Sequence, residues 1–169
     1  LKRVDLSSFD TSGAVQMEDM FGGCVALREA RLGKGFSFSG VGQEPLCLLP
    51  SMSGEHVIGW RSSSGQIYAA SEIPANQSGT YRSGILLDTG LIDLFSRYYV
   101  YDGAPVSLIL TTSRTEGVDY TATYADNVNV GTGSVTFRGV GDYMGSLTFD
   151  FDISPGVPRV SVPEGIVAS

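Results

Sequence analysis

A short apolar pattern occurs twice near the start of the chain, and the two copies are a fixed distance apart. Leu1-x-x-Val4-x-Leu6 recurs as Leu27-x-x-Ala30-x-Leu32, so each apolar position has a counterpart 26 residues later. Apolar and polar residues alternate at the end of both copies, which predicts two short strands. A fixed period of this length restricts the fold to one in which successive units pack against each other.

The segment between the two predicted strands carries a different pattern. Residues 14–21 have apolar side chains at positions 14, 17, 20 and 21, which predicts one or two helical turns with one apolar face. Thr11 or Ser12 is placed to cap this helix, and Gly22-Gly23 is placed to end it. A strand, a turn, a short helix, a turn and a strand within about 20 to 29 residues are typical of a leucine-rich repeat.

The sequence of residues 4–27, VDLSSFDTSGAVQMEDMFGGCVAL, resembles the repeat of the BspA-like leucine-rich repeat family, LDLSxFDTSxVTxMxxMFxxCxxL. Residues 9–12, Met17, Met20-Phe21 and Cys24 fall in register, whereas one extra residue stands before Val15. The resemblance implies a secreted or surface protein of bacteria or some protozoa that acts in adhesion and has no catalytic activity. Because about three repeats are normally needed for stability, we expect the chain to be the C-terminal end of a longer array.

The two cysteines, Cys24 and Cys47, allow two interpretations. A single disulfide would close a loop of about 22 residues and would add roughly 3 kcal/mol of stability. Two buried free thiols are the interpretation that we favour, because cysteine is among the most buried residue types. The family resemblance agrees, since it implies that Cys24 packs inward in a column with the cysteines of neighbouring repeats.

Residues 33–83 lose the period and are predicted to cap the array. The last unit of an array needs an atypical cap, because its apolar face would otherwise meet water. Residues 33–38 alternate as a strand would, and similar W…G…Y…IP…GTY segments follow the last repeat in the resembled family. Trp60 and Tyr68 are therefore predicted to be core residues rather than a platform for sugar stacking. His56 is predicted to be a solvent-facing loop residue.

Residues 84–154 are predicted to form a second module, an all-β sandwich. The chain has 22 Gly and 7 Pro, which suits a turn-rich β-protein and disfavours a helix bundle. Short strands separated by turn signals are predicted at residues 92–100, 106–111, 120–124, 133–138 and 144–153. The turns are predicted at residues 101–103, 126–129 and 139–142, where Asp, Asn and Gly tolerate positive φ.

The second module also carries a resemblance. Tyr101-Asp102-Gly103, residues 117–120, residues 127–132 and the G-x-G-x-Y-x-G pattern of residues 139–145 are similar to the short bacterial immunoglobulin-like repeat. The resemblance implies an immunoglobulin-like β-sandwich that acts as a stalk or spacer. Residues 155–169 are then predicted to be a linker or the start of a next module.

Charge and hydropathy exclude two classes of partner. The formal net charge is −7 at pH 7, which argues against nucleic-acid binding because that needs clustered Lys and Arg. No run of about 18 apolar residues exists, so no membrane insertion is expected from this chain.

The acidic residues do not predict a metal or catalytic site. Asp150 and Asp152 share a strand face, and Asp119, Asp126 and Asp142 lie in or near turns. Ca²⁺ takes about six to eight oxygen ligands, and the chain has no DxDxDG-type loop. We interpret these residues as a solvated acidic face that protects the sheet edges.

The composition also argues against covalent chemistry. The one histidine, His56, has no neighbouring nucleophile motif. The only lysines are Lys2 and Lys34, so no Lys–Asn isopeptide bond can form within residues 84–153. We therefore predict no catalytic, cofactor-binding or metal-binding residues, and the sequence does not identify the ligand-binding ones.

The sequence predicts a mainly β chain in three parts. Residues 1–83 form a C-terminal leucine-rich repeat with a short helix and a β cap, 84–154 an immunoglobulin-like β-sandwich, and 155–169 a linker or next module. The predicted function is non-catalytic adhesion to a host or microbial surface protein or glycan, at a bacterial cell surface or cell wall. Two alternatives stay open, a purely structural cap and stalk that spaces an upstream binding array, and a carbohydrate-binding accessory module.

Overall fold

The computed structural model describes residues 1–39 and 48–156, and this part of the chain is mainly β. The strands of the described residues are β1 (Arg3–Leu6), β2 (Glu29–Leu32), β3 (Met52–Ser53), β4 (His56–Ser62), β5 (Ile67–Tyr68), β6 (Gly79–Leu86), β7 (Ile92–Leu94), β8 (Tyr98–Val100), β9 (Leu110–Thr112), β10 (Tyr120–Ala125), β11 (Gly131–Gly139), β12 (Tyr143–Met144) and β13 (Ser146–Ser154). The helical structure found there is one short 3₁₀ turn at Ala70–Glu72. No helix of the described residues is long and apolar enough to cross a membrane.

The repeated pattern at the start of the chain forms a parallel pair of strands. β1 pairs with β2 so that Val4 lies beside Ala30 and Leu6 beside Leu32, which is the 26-residue separation seen in the sequence. Leu6, Ala30 and Leu32 are buried. The two predicted strands are therefore confirmed, and their apolar positions point into one core because side chains alternate across a strand.

The predicted short helix at residues 14–21 is wrong. The segment is a succession of turns, in which the backbone N–H groups of Ala14, Met20 and Gly22 donate to the carbonyl three residues earlier. Asp19 has a φ of 53°, which a right-handed helix does not allow. The apolar spacing still has a physical meaning, because Met17 and Phe21 are buried in the first core.

Thr11 does not cap a helix. Its side-chain oxygen accepts a hydrogen bond from the Ser37 N–H at 2.8 Å and contacts the carbonyl oxygens of Gly35 and Ser37. Thr11 thus ties the turn after β1 to the segment after β2. The half-buried Cys24 packs against the first core with a free thiol, whereas Cys47 lies outside the described residues.

The segment after β2 is irregular rather than a strand. Residues 33–38 contain a turn closed by a hydrogen bond from the Phe36 N–H to the Gly33 carbonyl. Phe36 and Phe38 are nevertheless buried, with their rings edge to face and 5.1 Å apart. The alternation of residues 33–38 therefore reflects burial of two rings without the strand that it predicted.

The remaining strands of the first part complete a seven-stranded sheet with the order β1-β2-β6-β4-β3, in which β5 pairs with β4 and β12 with β6. Trp60 of β4 is fully buried, and its indole N–H donates to the Pro50 carbonyl at 2.9 Å. Tyr68 is partly buried and packs against the same core. Trp60 is thus a core residue, as predicted, whereas Tyr68 lies at the edge of that core. His56 is not in a loop but begins β4, where it is half-buried and pairs with Ser53.

The second part contains a four-stranded sheet with the order β10-β11-β13-β8 and a two-stranded sheet of β7 and β9. A second core, which includes Ile92, Val135, Phe137 and Phe151, contains buried side chains from both sheets. The predicted strand at residues 92–100 is split between the two sheets, and only its two ends are extended strand.

Two other predicted strands also differ. Of residues 106–111 only the end becomes β9, and residues 144–153 divide between β12 and β13. Gly145 separates β12 from β13 with a φ of 83°. The predicted turns at residues 101–103, 126–129 and 139–142 contain Gly103, Asp126 and Gly141, and all three have positive φ.

The two parts share a sheet. β6 runs across residues 83 and 84, and its end pairs in parallel with β12, so that Tyr143 lies beside Ile85 and Met144 beside Leu86. Tyr81 of β6 belongs to the first core, whereas Ile85 packs against the second. The central strand therefore contributes to both cores. Of the predicted C-terminal segment 155–169, residues 157–169 lie outside the described part.

Candidate ligand-binding grooves

The seven-stranded sheet has one face on the first core and one face exposed to solvent. Side chains alternate along each strand, so the strand pairing determines which exposed residues become neighbours. One exposed row runs across the sheet as Arg3, Glu29, Arg82 and Arg61 on β1, β2, β6 and β4. A second row consists of Asp5, Arg31 and Thr80.

Three grooves follow this exposed face. The repeat groove, with a volume of about 670 Å³, is lined by the ends of β1 and β2 and the start of β6, and includes Ser7, Asp10, Arg31, Lys34, Ser63 and Thr80. The junction groove, of about 600 Å³, includes Arg61, Ser62, Ser63, Thr80, Arg82 and Tyr143. The side groove, of about 340 Å³, includes Arg61, Ile67, Arg138 and Ser146. The repeat and junction grooves share Ser63 and Thr80, and the junction and side grooves share Arg61.

Two glycines allow the junction groove to form where the two parts of the chain meet. Gly59 and Gly84 are paired on β4 and β6, and Met144 of β12 lies directly over them. A Cβ atom on Gly84 would lie 2.5 Å from the Met144 Cε, and one on Gly59 would lie 3.0 Å from the Met144 Sδ. The absence of these two side chains lets β12 approach the sheet and form a wall beside Arg61 and Arg82.

The grooves are basic although the chain is acidic. Five cationic side chains line them, namely Arg31, Lys34, Arg61, Arg82 and Arg138. The one acidic lining residue among the described residues is Asp10 of the repeat groove. The formal net charge of the whole chain is −7. A basic strip on an acidic surface makes a local positive potential that favours an anionic ligand.

The cations of the strip differ in their partners. The Arg82 Nε lies 3.0 Å from a carboxylate oxygen of Glu29, and an Arg31 nitrogen lies 3.5 Å from one of Asp5. In the described part of the chain, no carboxylate lies within 4.0 Å of the Arg61 guanidinium. Arg61 also faces Arg82 directly across β4 and β6. Of the arginines in the exposed row, Arg61 therefore has the positive charge that nearby carboxylates neutralise least.

Two carboxylates near the repeat groove are held in the charged form. Hydrogen bonds from the side chain and backbone of Ser7 lower the pKa of Asp5, and Arg31 adds a smaller effect. Hydrogen bonds from Ser12 lower the pKa of Asp10 in the same way. Both groups remain ionised at neutral pH and limit the positive charge at this end of the strip.

The acidic residues singled out from the sequence do not come together. Asp150 and Asp152 lie on the exposed face of β13, and Asp152 accepts a hydrogen bond from Thr132. Asp119 accepts from the Thr115 N–H. The described residues contain no group of three or more His, Cys, Asp or Glu side chains placed to hold a metal ion.

The sequence alone does not predict the basic strip. Arg61, Arg82 and Arg138 are far apart along the chain, and each stands among unremarkable polar residues. The one sequence feature that points to these arginines is their placement, because each lies on the solvent side of a short strand whose other side is apolar. The register of β4 with β6 places Arg61 beside Arg82, and the pairing of β12 with β6 brings the second part of the chain close enough for Arg138 to line a groove with Arg61.

We compared the chain with models of protein families, with curated proteins and with solved structures, and none of them matches it.

Proposed function

We propose that this chain is a non-catalytic binding module of a bacterial cell-surface protein, which mediates adhesion to a host or microbial surface protein or glycan. In this proposal residues 1–83 are the terminal leucine-rich repeat and its cap, and residues 84–154 are an immunoglobulin-like sandwich. The observation that carries the proposal is the series of three open grooves across the exposed sheet face. Open, polar grooves of this extent suit a ligand that lies along a surface.

The repeat interpretation is supported by the parallel pairing of β1 and β2 at the 26-residue separation. It is also supported by apolar side chains that remain exposed in this unit, namely Leu1, Phe9, Val15, Met20 and Val25. Among the described strands β1 has β2 as its one neighbour, so its other edge is open. An apolar surface beside an open parallel edge suits stacking of a further unit of the same kind.

The alternative function is a structural cap and stalk. It is favoured by the buried Trp60 and by the sheet that β6 and β12 share, because these features join the two parts firmly. The alternative of a carbohydrate-binding accessory module is weakened, because it depended on an exposed Trp60. Trp60 is fully buried and has no face available for a sugar ring.

The proposal is tested by a binding panel of matrix proteins, mucins and glycans presented to the immobilised chain. We expect saturable binding to at least one member of the panel and none by the same chain after thermal unfolding. If the folded chain binds no member of the panel, the structural alternative is favoured and the adhesion proposal is contradicted.

A further inference from the structure

We infer that the ligand of this face is a sulfated polysaccharide, which lies along the basic strip formed by Arg31, Lys34, Arg61, Arg82 and Arg138. The inference rests on the proposed function and specifies its ligand class. The strip consists of the cationic residues that line the repeat, junction and side grooves.

The basic strip is complementary in charge to a polyanion. A formal net charge of −7 repels a polyanion from the chain as a whole, so a polyanion binds best to a face on which cations are grouped. In the junction and side grooves, no acidic side chain of the described residues is part of the lining. This part of the strip is therefore the most favourable place for an anionic group.

Arg61 and Arg82 lie directly opposite each other in the sheet. Their side chains leave neighbouring antiparallel strands at paired positions, where Cβ atoms are about 4.5 to 5.5 Å apart. Like charges at such positions repel each other. Glu29, which also lies 3.9 Å from Arg3, is within ion-pair distance of Arg82 and not of Arg61. An anion between the two guanidinium groups would relieve this repulsion.

The geometry of that pair favours sulfate over carboxylate. A guanidinium donates two parallel hydrogen bonds to one anion. Two guanidinium groups that each make such a pair with one carboxylate must share both of its oxygens, whereas on the three terminal oxygens of a sulfate ester they need to share only one. Arg61 and Arg82 together thus form a receptor for a group with three acceptor oxygens.

The lining between the cations favours a polysaccharide over a peptide or a nucleic acid. Hydroxyl side chains separate the cations, namely Ser7, Ser8, Ser62, Ser63, Ser78 and Thr80. Such groups exchange hydrogen bonds with sugar hydroxyls. Peptide-binding sites usually depend on apolar anchor pockets, and single-stranded nucleic acids bind aromatic platforms on which their bases stack. The hydroxyl-rich, mainly polar lining matches a charged sugar chain better than either.

The test measures the affinity of the whole chain for dextran sulfate, with neutral dextran, polygalacturonate and polyglutamate of similar length as comparison ligands. We expect binding to dextran sulfate that weakens as salt is added, because the contacts are mainly ionic. Arg61→Gln should weaken it at least about tenfold, since a hydrogen-bonded charge is lost. Arg61→Lys should restore only part of the affinity, because lysine keeps the charge but lacks the two-pronged donor.

The matched control is Lys2→Gln, which removes one positive charge outside the three grooves. It should leave the affinity for dextran sulfate within about twofold. Unfolding midpoints followed by Trp60 fluorescence should be the same or higher for Arg61→Gln, because a like-charge contact is removed. An equal loss in Lys2→Gln and Arg61→Gln would mean non-specific attraction and would overturn the inference.

Equal binding of polygalacturonate or polyglutamate would also overturn it, because the ligand would then be any polyanion. Failure of this inference differs from failure of the proposed function. If a protein or neutral glycan from the panel binds with the same affinity to the original chain and to Arg61→Gln, the sulfated-ligand inference is wrong while the adhesion proposal stands.

Discussion

Trp60 is the single tryptophan of the chain, and it lies fully inside the first core. Its indole N–H is satisfied by the Pro50 carbonyl at 2.9 Å, so burial leaves no polar group of the ring unpaired. We expect its fluorescence to be nearly inaccessible to acrylamide in the folded chain and fully accessible in denaturant. Equal quenching constants in the two states would contradict the core assignment and reopen the sugar-platform interpretation.

Asp5 and Asp10 form a matched pair for a titration experiment. Each carboxylate accepts hydrogen bonds from the serine two residues later, and this lowers both pKa values below the ordinary 3.8. Because the folded pKa is the lower one, the stabilisation is present above about pH 3.8 and is lost as the pH falls through the folded pKa. Ser7→Ala should raise the pKa of Asp5 toward 3.8 and leave that of Asp10 unchanged. Carboxyl NMR titrations of the original chain and of Ser7→Ala check this, and a parallel shift in the pKa of Asp10 would be inconsistent with local hydrogen bonding as the cause.

At the scale of the elements, close approach between the two repeat strands depends on Gly33. A Cβ atom at this position would overlap the carbonyl oxygen and carbonyl carbon of Ser7, the residue that follows β1. Because the obstacle is backbone, the two strands would have to separate, and Gly33→Ala should lower the free energy of unfolding by about 1 to 3 kcal/mol. Denaturant melts measure this loss.

The control is Gly13→Ala, because a Cβ atom at Gly13 would meet nothing within 4 Å. Equal free energies of unfolding for the two variants would contradict the prediction.

Some elements were predictable from the sequence because a local pattern determined them. The strands around Val4 and Ala30 followed from a repeated alternation, and the turns at Gly103, Asp126 and Gly141 followed from residues that tolerate positive φ. The helix at residues 14–21 failed because spacing reports which side chains are buried and does not report the backbone hydrogen bonds. The same limit applies at residues 33–38, where the alternation predicts a strand but reflects only the burial of two aromatic rings.

The breaks within strands were less predictable because they depend on tertiary structure. Residues 92–100 are continuously rich in strand-forming side chains, yet β7 and β8 belong to different sheets. The basic strip has the same origin, since Arg61 and Arg138 lie on strands of the two different parts. No local sequence pattern relates Arg61 to Arg138. They come to lie near each other only because β6 pairs with β12.

At the scale of the whole molecule, the shared strand β6 predicts that the two cores unfold together. Tyr81 of β6 is in the first core and Ile85 packs against the second. Phe137 is fully buried in the second core, and Phe137→Ala should cost about 3 to 5 kcal/mol. We expect this substitution to lower the denaturation midpoint reported by Trp60, although Trp60 lies in the other core.

The control for this prediction is Val130→Ala, because Val130 is half-exposed in the second part and its truncation removes little buried surface. It should leave the Trp60 midpoint almost unchanged. A Trp60 midpoint that is the same in Phe137→Ala and in the original chain would show two independent units and would argue against a rigid junction groove.

If the ligand lies on the exposed face of the seven-stranded sheet, the amide signals of that face should change when it binds. The most direct measurement is a titration of the isotope-labelled chain with a short sulfated dextran, followed by backbone amide NMR. We expect the largest shift changes at four residues that line the repeat and junction grooves, namely Ser63, Thr80, Arg61 and Arg82. Changes concentrated instead at the exposed Phe95, Tyr98 and Tyr101 of the second part would contradict it.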